Sequence, residues 1–425
     1  MMGGEIVKQH PYQAICVRSD VTGNILFGAC GPSIFSVNLT SGSLVSKWSS
    51  QDSHAQAKNG DSENGTQVSK KRKLDQLSSR APVVIKLALS PSQSHLVAVT
   101  GEDKRIRVFE IAETGRLSEL SQRCMPKRPC GILITPDNKT ILCGDKFGDV
   151  YSLPLIPGEY VPAKEPENAT PDRTYTVAGS NLTVHTARNR KALEEQIKRK
   201  GEASNSREPL KFEHKLLLGH VSMLTDMQIG TVNIDGKSRH HIITSDRDEH
   251  IRISRGPPQA HIIERFCMGH TEFISFIQVV PKSNLLVSGG GDEWIGIWDW
   301  TTGDLVAKHP LRGISNVAVS GIWVVSGGSD SNEEVVCVAL EKSDAIHYMS
   351  ANKLREQGND FETVHCGSPV LDVASTSQGE IMVSLDATEV SRSESTEPDS
   401  QLTLMYRLSH DYKPADSLQV ERLCL

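Results

Sequence analysis

The chain is poor in aromatic residues, which make up 5% of its 425, it has no surplus of basic charge, and no long apolar run occurs in it. A formal net charge of -6 excludes wholesale coating of nucleic acid, so any contact with phosphates has to come from local basic patches. No stretch approaches the roughly eighteen consecutive apolar residues of a membrane span. Met1-Met2-Gly3-Gly4-Glu5 lacks the basic start and apolar stretch of a secretion signal, and the expectation is a soluble intracellular protein with no membrane contact. Nine cysteines, an odd number without a Cys-x-x-Cys pair, speak against a disulfide framework or a zinc site. Also missing are a Walker lysine loop, a His-Glu-x-x-His helix and a Gly-x-Ser-x-Gly elbow. Catalytic residues, cofactor-binding residues and metal ligands are therefore all expected to be none.

What is present is a pattern that occurs twice between Leu216 and Trp300. The first copy runs Gly219-His220, Asp226, Thr244, Asp248, Ile251, Ile253; the second runs Gly269-His270, Ser288, Asp292, Ile295, Ile297, Trp298-Asp299. A Gly-His pair, an apolar strand ending in Ser or Thr, an Asp four residues on and a strand closed by Trp-Asp is the signature of WD-type propeller repeats, about 40–45 residues long. Such residues suit a four-stranded sheet that holds its own turns, with His donating to Asp and the hydroxyl bonding the His. His270, Ser288, Asp292 and Trp298 supply the full set; His220, Thr244 and Asp248 supply three members, with Ser254 in place of the Trp. His, Ser and Asp together also suit a nucleophile and its base. Repetition of the spacing along the chain favours a structural network instead.

Taken in order, residues 7–40 read as a first blade, Val83 to Glu110 as a second and Gly131 to Tyr151 as a third. The two marked repeats give the fourth and fifth, Val317 to Leu340 the sixth and Pro369 to Tyr406 the seventh. The expected fold is all-β, a single seven-bladed β-propeller over residues 1–425, carrying loop insertions that are disordered or basic. Ring closure is expected to recruit an early strand, within residues 5–18, into the last sheet.

Two segments lose the alternating pattern. Residues 49–80 are polar and contain Lys70, Lys71, Arg72 and Lys73, a run that suits nuclear import, a phosphate-binding patch or a merely solvated loop. Residues 162–209 are charged and include Arg188, Arg190, Lys191, Lys198, Arg199 and Lys200, which fit either a basic arm on RNA phosphates or a solvated helix. Gly289-Gly290-Gly291-Asp292 lies between two strands with no helix after it and reads as a hairpin turn.

The stretch Thr244 to Ser254 is unusually rich in ionisable groups. With Asp248 assigned to the network, Asp246, Arg247, Glu249, His250 and Arg252 remain. Alternation sets Arg252 on the face opposite Ile251 and Ile253, pointing out of the sheet or to its rim. A solvated hairpin and a charged docking surface fit this pattern equally.

Ser245-Asp246-Arg247-Asp248-Glu249-His250-Ile251-Arg252-Ile253-Ser254, then Phe266-Cys267-Met268-Gly269-His270-Thr271-Glu272-Phe273-Ile274-Ser275, resembles the WD-repeat non-catalytic subunit of eukaryotic tRNA (guanine-N7-)-methyltransferase. Leu218-Gly219-His220-Val221-Ser222-Met223-Leu224-Thr225-Asp226 and Gly144-Asp145-Lys146-Phe147-Gly148-Asp149-Val150 look like motifs of the same family, in order. The resemblance covers residues 83–300 and is absent from the N-terminal loop, the basic insertion and the last two blades. It implies a partner, a catalytic subunit that holds S-adenosylmethionine and methylates N7 of a guanine in the tRNA variable loop. This chain would be the required non-enzymatic member of a nuclear heterodimer, stabilising its partner and helping to position tRNA. Carried over, Arg247, His250 and Arg252 would meet acidic groups of the partner, and Arg252→Glu is expected to weaken that contact without harming the fold. The competing expectation is a scaffold or substrate adaptor in an unrelated nuclear complex.

Overall fold

In the computed structural model, residues 11–20, 23–51, 81–158, 210, 212–311, 317–326, 334–357, 361–386 and 405–408 are described. The chain divides into two units, Met1–Ile156 with His214–Leu425, and Pro157–Glu213. The sheets of the described residues all lie in the first unit. Lys70 to Lys73 and Arg188 to Lys200 lie outside the described residues.

Strands follow one another in antiparallel groups. The first sheet is Tyr12–Asp20, Gly23–Cys30, Ser33–Asn38 and Leu44–Ser49 (β1–β4), and the second is Val84–Leu89, His95–Thr100, Arg105–Ile111 and Leu117–Cys124 (β5–β8). The third comprises Pro129–Ile134, Thr140–Asp145, Asp149–Pro154 and, from beyond the insertion, Lys215–Gly219 (β9–β12). Leu224–Ile234, Lys237–Asp246, Ile251–Arg255 and Ile263–Cys267 (β13–β16) form the fourth. Ile274–Val279, Leu285–Gly290, Trp294–Asp299 and Asp304–Pro310 (β17–β20) form the fifth. Val319–Ser326, Glu334–Leu340, Ala345–Ser350 and Glu362–His365 (β21–β24) make the sixth. Val370–Ser375, Ile381–Leu385 and Met405–Leu408 (β25–β27) make a last sheet of three strands. The expectation of seven blades is thus corrected: among the described residues six blades are complete.

The hydrophobic pattern explains which strand goes where. Outer strands alternate, as in Leu117–Cys124, whereas second strands such as Leu285–Gly290 are buried throughout because sheets cover both of their faces. Apolar clusters then sit between successive sheets. Phe27, Ile34, Leu96 and Phe109 fill the gap between the first and second, and Ile253, Ile277, Leu286 and Trp298 that between the fourth and fifth. The first strand of each of the seven sheets carries a register shift at its start, for example between Leu224 and Asp226 and between Ile274 and Phe276. Such irregularities raise local twist and let the sheets splay around an axis.

The expected closing strand is described only from residue 11 onward. Tyr12–Asp20 pairs with Gly23–Cys30 inside its own sheet instead of completing the last one. The last sheet meets the first face to face: Ile15, Leu26 and Val37 pack on Met382, and the Ile15 N–H donates to Asp372 Oδ2 at 2.7 Å.

Candidate docking site on the loop face

Successive antiparallel strands place the connections 146–148, 220–223, 247–250, 268–273 and 291–293 at one end of the third, fourth and fifth sheets. Two histidine networks hold these loops. In the fifth sheet Trp298 Nε1 donates to Ser288 Oγ (2.7 Å), Ser288 bonds His270 Nε2 (2.7 Å), and His270 Nδ1 bonds Asp292 Oδ2 (2.7 Å). Burial draws the His270 imidazole below its ordinary value, against the pull of Asp292. Burial pushes the Asp292 carboxyl up, but hydrogen bonds from Thr271, His270 and the Glu272 N–H outweigh it and hold the group low. The pair is therefore a neutral imidazole donating to a carboxylate, and every polar atom of the chain has its match. Ser288 is fully buried and its oxygen is occupied on both sides, so it cannot meet a substrate. His270, Ser288, Asp292 and Trp298 thus form one connected hydrogen-bond network.

The fourth sheet uses a different carboxylate from the one expected. His220 Nε2 meets Thr244 Oγ1 at 3.0 Å, while Nδ1 meets Asp246 Oδ2 at 3.3 Å. Asp248 has no part in this network and is exposed at the turn. Register gives the reason. Asp246 pairs with Leu224 as Gly290 pairs with Ile274, so the fifth sheet has glycine where the fourth has its network acid. A Cβ at Gly290 would lie 1.8 Å from the Phe273 carbonyl oxygen, which forces the fifth sheet to recruit Asp292 from two residues further on. Asp246 Oδ1 also accepts the Asp248 and His250 N–H groups, and Glu249 closes the turn at φ 68°. Asp246, expected at a partner interface, is buried and holds the turn.

The rest of the charged stretch divides by exposure. Arg247 and Glu249 are exposed and His250 is half-buried, as a docking reading requires. Arg252 is 9% exposed, not at the open rim. Its Nη1 donates to the Gly219 carbonyl at 3.1 Å, its Nε has no partner, and burial draws the guanidinium below its ordinary value, with Asp246 opposing. This cation lines a hollow of ≈ 400 Å³ together with His220, Asp248, His250, Phe266 and Met268. An Arg252→Glu change would therefore put an acid next to Asp246 in a buried position, and the expectation that it spares the fold is corrected.

Sequence reasoning missed the apolar residues around this hollow. Val221 is 108% exposed, Phe147 63%, Met268 59%, Phe266 43% and Phe273 40%, all on or beside the same loops. Single exposed apolar side chains are ordinary; these five stand on or beside the loops that flank one buried cation. The available signal was the pairing of Phe266 and Met268 with buried Cys267 between them, an alternation that sends both large side chains outward. Among the described residues no group of three His, Cys, Asp or Glu side chains is suited to a metal ion.

Fold and repeat motifs together define a WD-repeat propeller. Residues 26–407 match the family model described as the tRNA methyltransferase TRM82 WD40 domain, and the chain belongs to that family. A relative from Aspergillus clavatus, "tRNA (guanine-N(7)-)-methyltransferase non-catalytic subunit trm82", is 38% identical over 95% of this chain and 88% of its own. The correspondingly named proteins of Coccidioides immitis and Phaeosphaeria nodorum are 44% and 41% identical, over 71% and 86% of this chain and 62% and 79% of theirs. Among solved structures, the WD40 repeats of RRP9 superpose with a TM-score of 0.55 at 14% identity, covering 91% of this chain and 89% of that one, a likeness of fold alone.

Proposed function

We propose that this chain is the non-catalytic subunit of a tRNA (guanine-N7-)-methyltransferase and that the hollow around Arg252 receives the catalytic subunit. The three relatives carry that subunit's name, and the observation that carries the reading is the buried, incompletely bonded Arg252 under the exposed Val221, Phe266 and Met268. An acidic side chain of the partner, entering the hollow, would satisfy the guanidinium while the apolar rim excludes water. Breaking a charge contact so desolvated costs about 2–5 kcal/mol. Arg247, Glu249 and His250 set orientation from the edge of the same surface.

On this reading the partner holds S-adenosylmethionine and makes the bond to N7 of guanine, whereas the propeller steadies it and helps to present the tRNA. Lys70 to Lys73 suit import into the nucleus, where the complex would act. Co-expression with the catalytic subunit tests the assignment: a one-to-one complex active on tRNA is expected, with no turnover from this chain alone. Met268→Asp with Val221→Asp should leave the melting temperature unchanged and weaken the complex at least about thirtyfold, at 1.4 kcal/mol per tenfold. Wild-type affinity in that double variant refutes the placement.

A further inference from the structure

The hollow around Arg252 is unevenly charged. In its lining Asp246 and Asp248 are acids, Arg252 is a permanent cation, and His220 and His250 are neutral or cationic according to their protons. With both imidazoles neutral, two carboxylates face one guanidinium. A carboxylate brought in by a partner would add a third anion, in a site walled by Val221, Phe266 and Met268. Like charges so placed repel, and the apolar wall keeps out the water that would screen them. One proton taken up together with the incoming acid restores the charge the hollow carries on its own.

The geometry decides which group can hold that proton. Asp246 does not: burial pushes its carboxyl up, but the bond to His220 and the N–H groups of His250 and Asp248 outweigh this and hold it low. The His220 side chain is enclosed at 3% exposure, with its ring nitrogens bonded to Asp246 and Thr244. The His250 side chain is open at 43%, and neither of its ring nitrogens has a hydrogen bond among the described residues. Its Nδ1 lies 3.8 Å from Asp246 Oδ1, and its ring stands edge-on to Phe266 with centroids 6.2 Å apart. Around it are Asp246, Arg247, Asp248 and Glu249 of its own turn, Arg252 from β15 and His220 from the loop 220–223; Phe266 of β16 and Met268 beyond it carry no charge. Three carboxylates thus stand against two guanidiniums, and an incoming acid strengthens a field that already favours a cation.

We propose that docking of the catalytic subunit takes up a proton from solvent onto His250, whose charged ring then faces both Asp246 and the incoming carboxylate that meets Arg252. The proposal rests on the docking reading above and adds a pH dependence to it. A group that gains an anionic neighbour on binding holds its proton more tightly in the complex, so affinity rises as the pH falls and the imidazole charges. Arg247 and Arg252 stay charged throughout and cannot give this dependence.

Calorimetric titration of the full chain with the catalytic subunit, at about pH 8 and about pH 6, reads the coupling. Between these values the dissociation constant of wild type should fall about fivefold more than that of His250→Gln, which cannot charge. His250→Lys, charged at both values, should bind tightly at both. In buffers of different ionisation enthalpy, wild type should take up more protons per complex than His250→Gln; subtracting the variant removes groups of the partner that titrate. Both variants keep the residue-250 N–H that bonds Asp246, so their melting temperatures should match wild type. Equal pH dependence in wild type and His250→Gln, tighter binding of wild type at the alkaline end, or weaker binding of His250→Lys than of His250→Gln would each overturn the proton link. If Met268→Asp with Val221→Asp still weakens the complex in that case, the docking place stands and the link alone falls; wild-type affinity in that double variant removes both.

Discussion

At the scale of single residues, the histidine networks are where chemistry and stability meet. Trp298, Ser288, His270 and Asp292 form a donor-to-acceptor chain in which each member satisfies the next. His270→Ala strands Ser288 and Asp292 in a dry site, and the expected loss is about 1–3 kcal/mol in urea unfolding. Acid should act through the same pair. His270 is held below its ordinary value of 6.5, so its contribution is complete above that pH and is lost as the pH falls and the unfolded chain takes up the proton. Asp292, held below 3.8, adds a further loss only when the pH falls past that value. The unfolding midpoint is expected to drop between pH 7 and 5, and His270→Gln should flatten that slope. His241 and His347, also lowered by burial, keep it from vanishing. An unchanged slope in His270→Gln would contradict the neutral buried imidazole. Most of this network was legible, because residue type and spacing repeat. The exchange of Asp248 for Asp246 was not, since it depends on which of two acids in one turn the His220 ring reaches, and spacing along the chain does not separate them.

Among the elements, the strand–turn–strand units carry the docking loops, and their shape is fixed by close backbone approach. Gly148 shows this best. It takes φ 99°, and a Cβ there would lie 2.7 Å from Ser222 O and 2.8 Å from His220 O. Gly148→Ala is expected to lower stability by about 1–3 kcal/mol and to shift loop 220–223, and with it Val221. Paired measurements of melting temperature and partner affinity test this; a variant with both intact would show that the loops are set independently. The strands themselves were readable from alternation and turn residues. What alternation misjudged was Arg252: the correct face was read, but that face is covered here by the Gly219 carbonyl and the side chains of Phe266 and Met268.

For the molecule as a whole, two aspartates tie neighbouring inner strands. Asp226 Oδ2 accepts from the Ile277 N–H at 3.0 Å, and Asp372 accepts from Ile15 N–H and Trp323 Nε1. These occupy the same place after the register shift in their strands. Asp372 joins the two ends of the chain, so Asp372→Ala should cost about 1–3 kcal/mol and increase proteolysis of the last sheet before the rest unfolds. Cooperative loss of all sheets at the wild-type midpoint would rule out a role for Asp372 in closure.

The sequence by itself determined the repeat, the sheet-forming pattern and the family, because these depend on residue type and on spacing within one blade. The tertiary structure alone decided that the first strand stays in its own sheet, which carboxylate each histidine takes, and that Arg252 lies under an apolar rim. Those outcomes turn on contacts between strands, where a single carbonyl or a missing Cβ selects among residues that look equivalent along the chain.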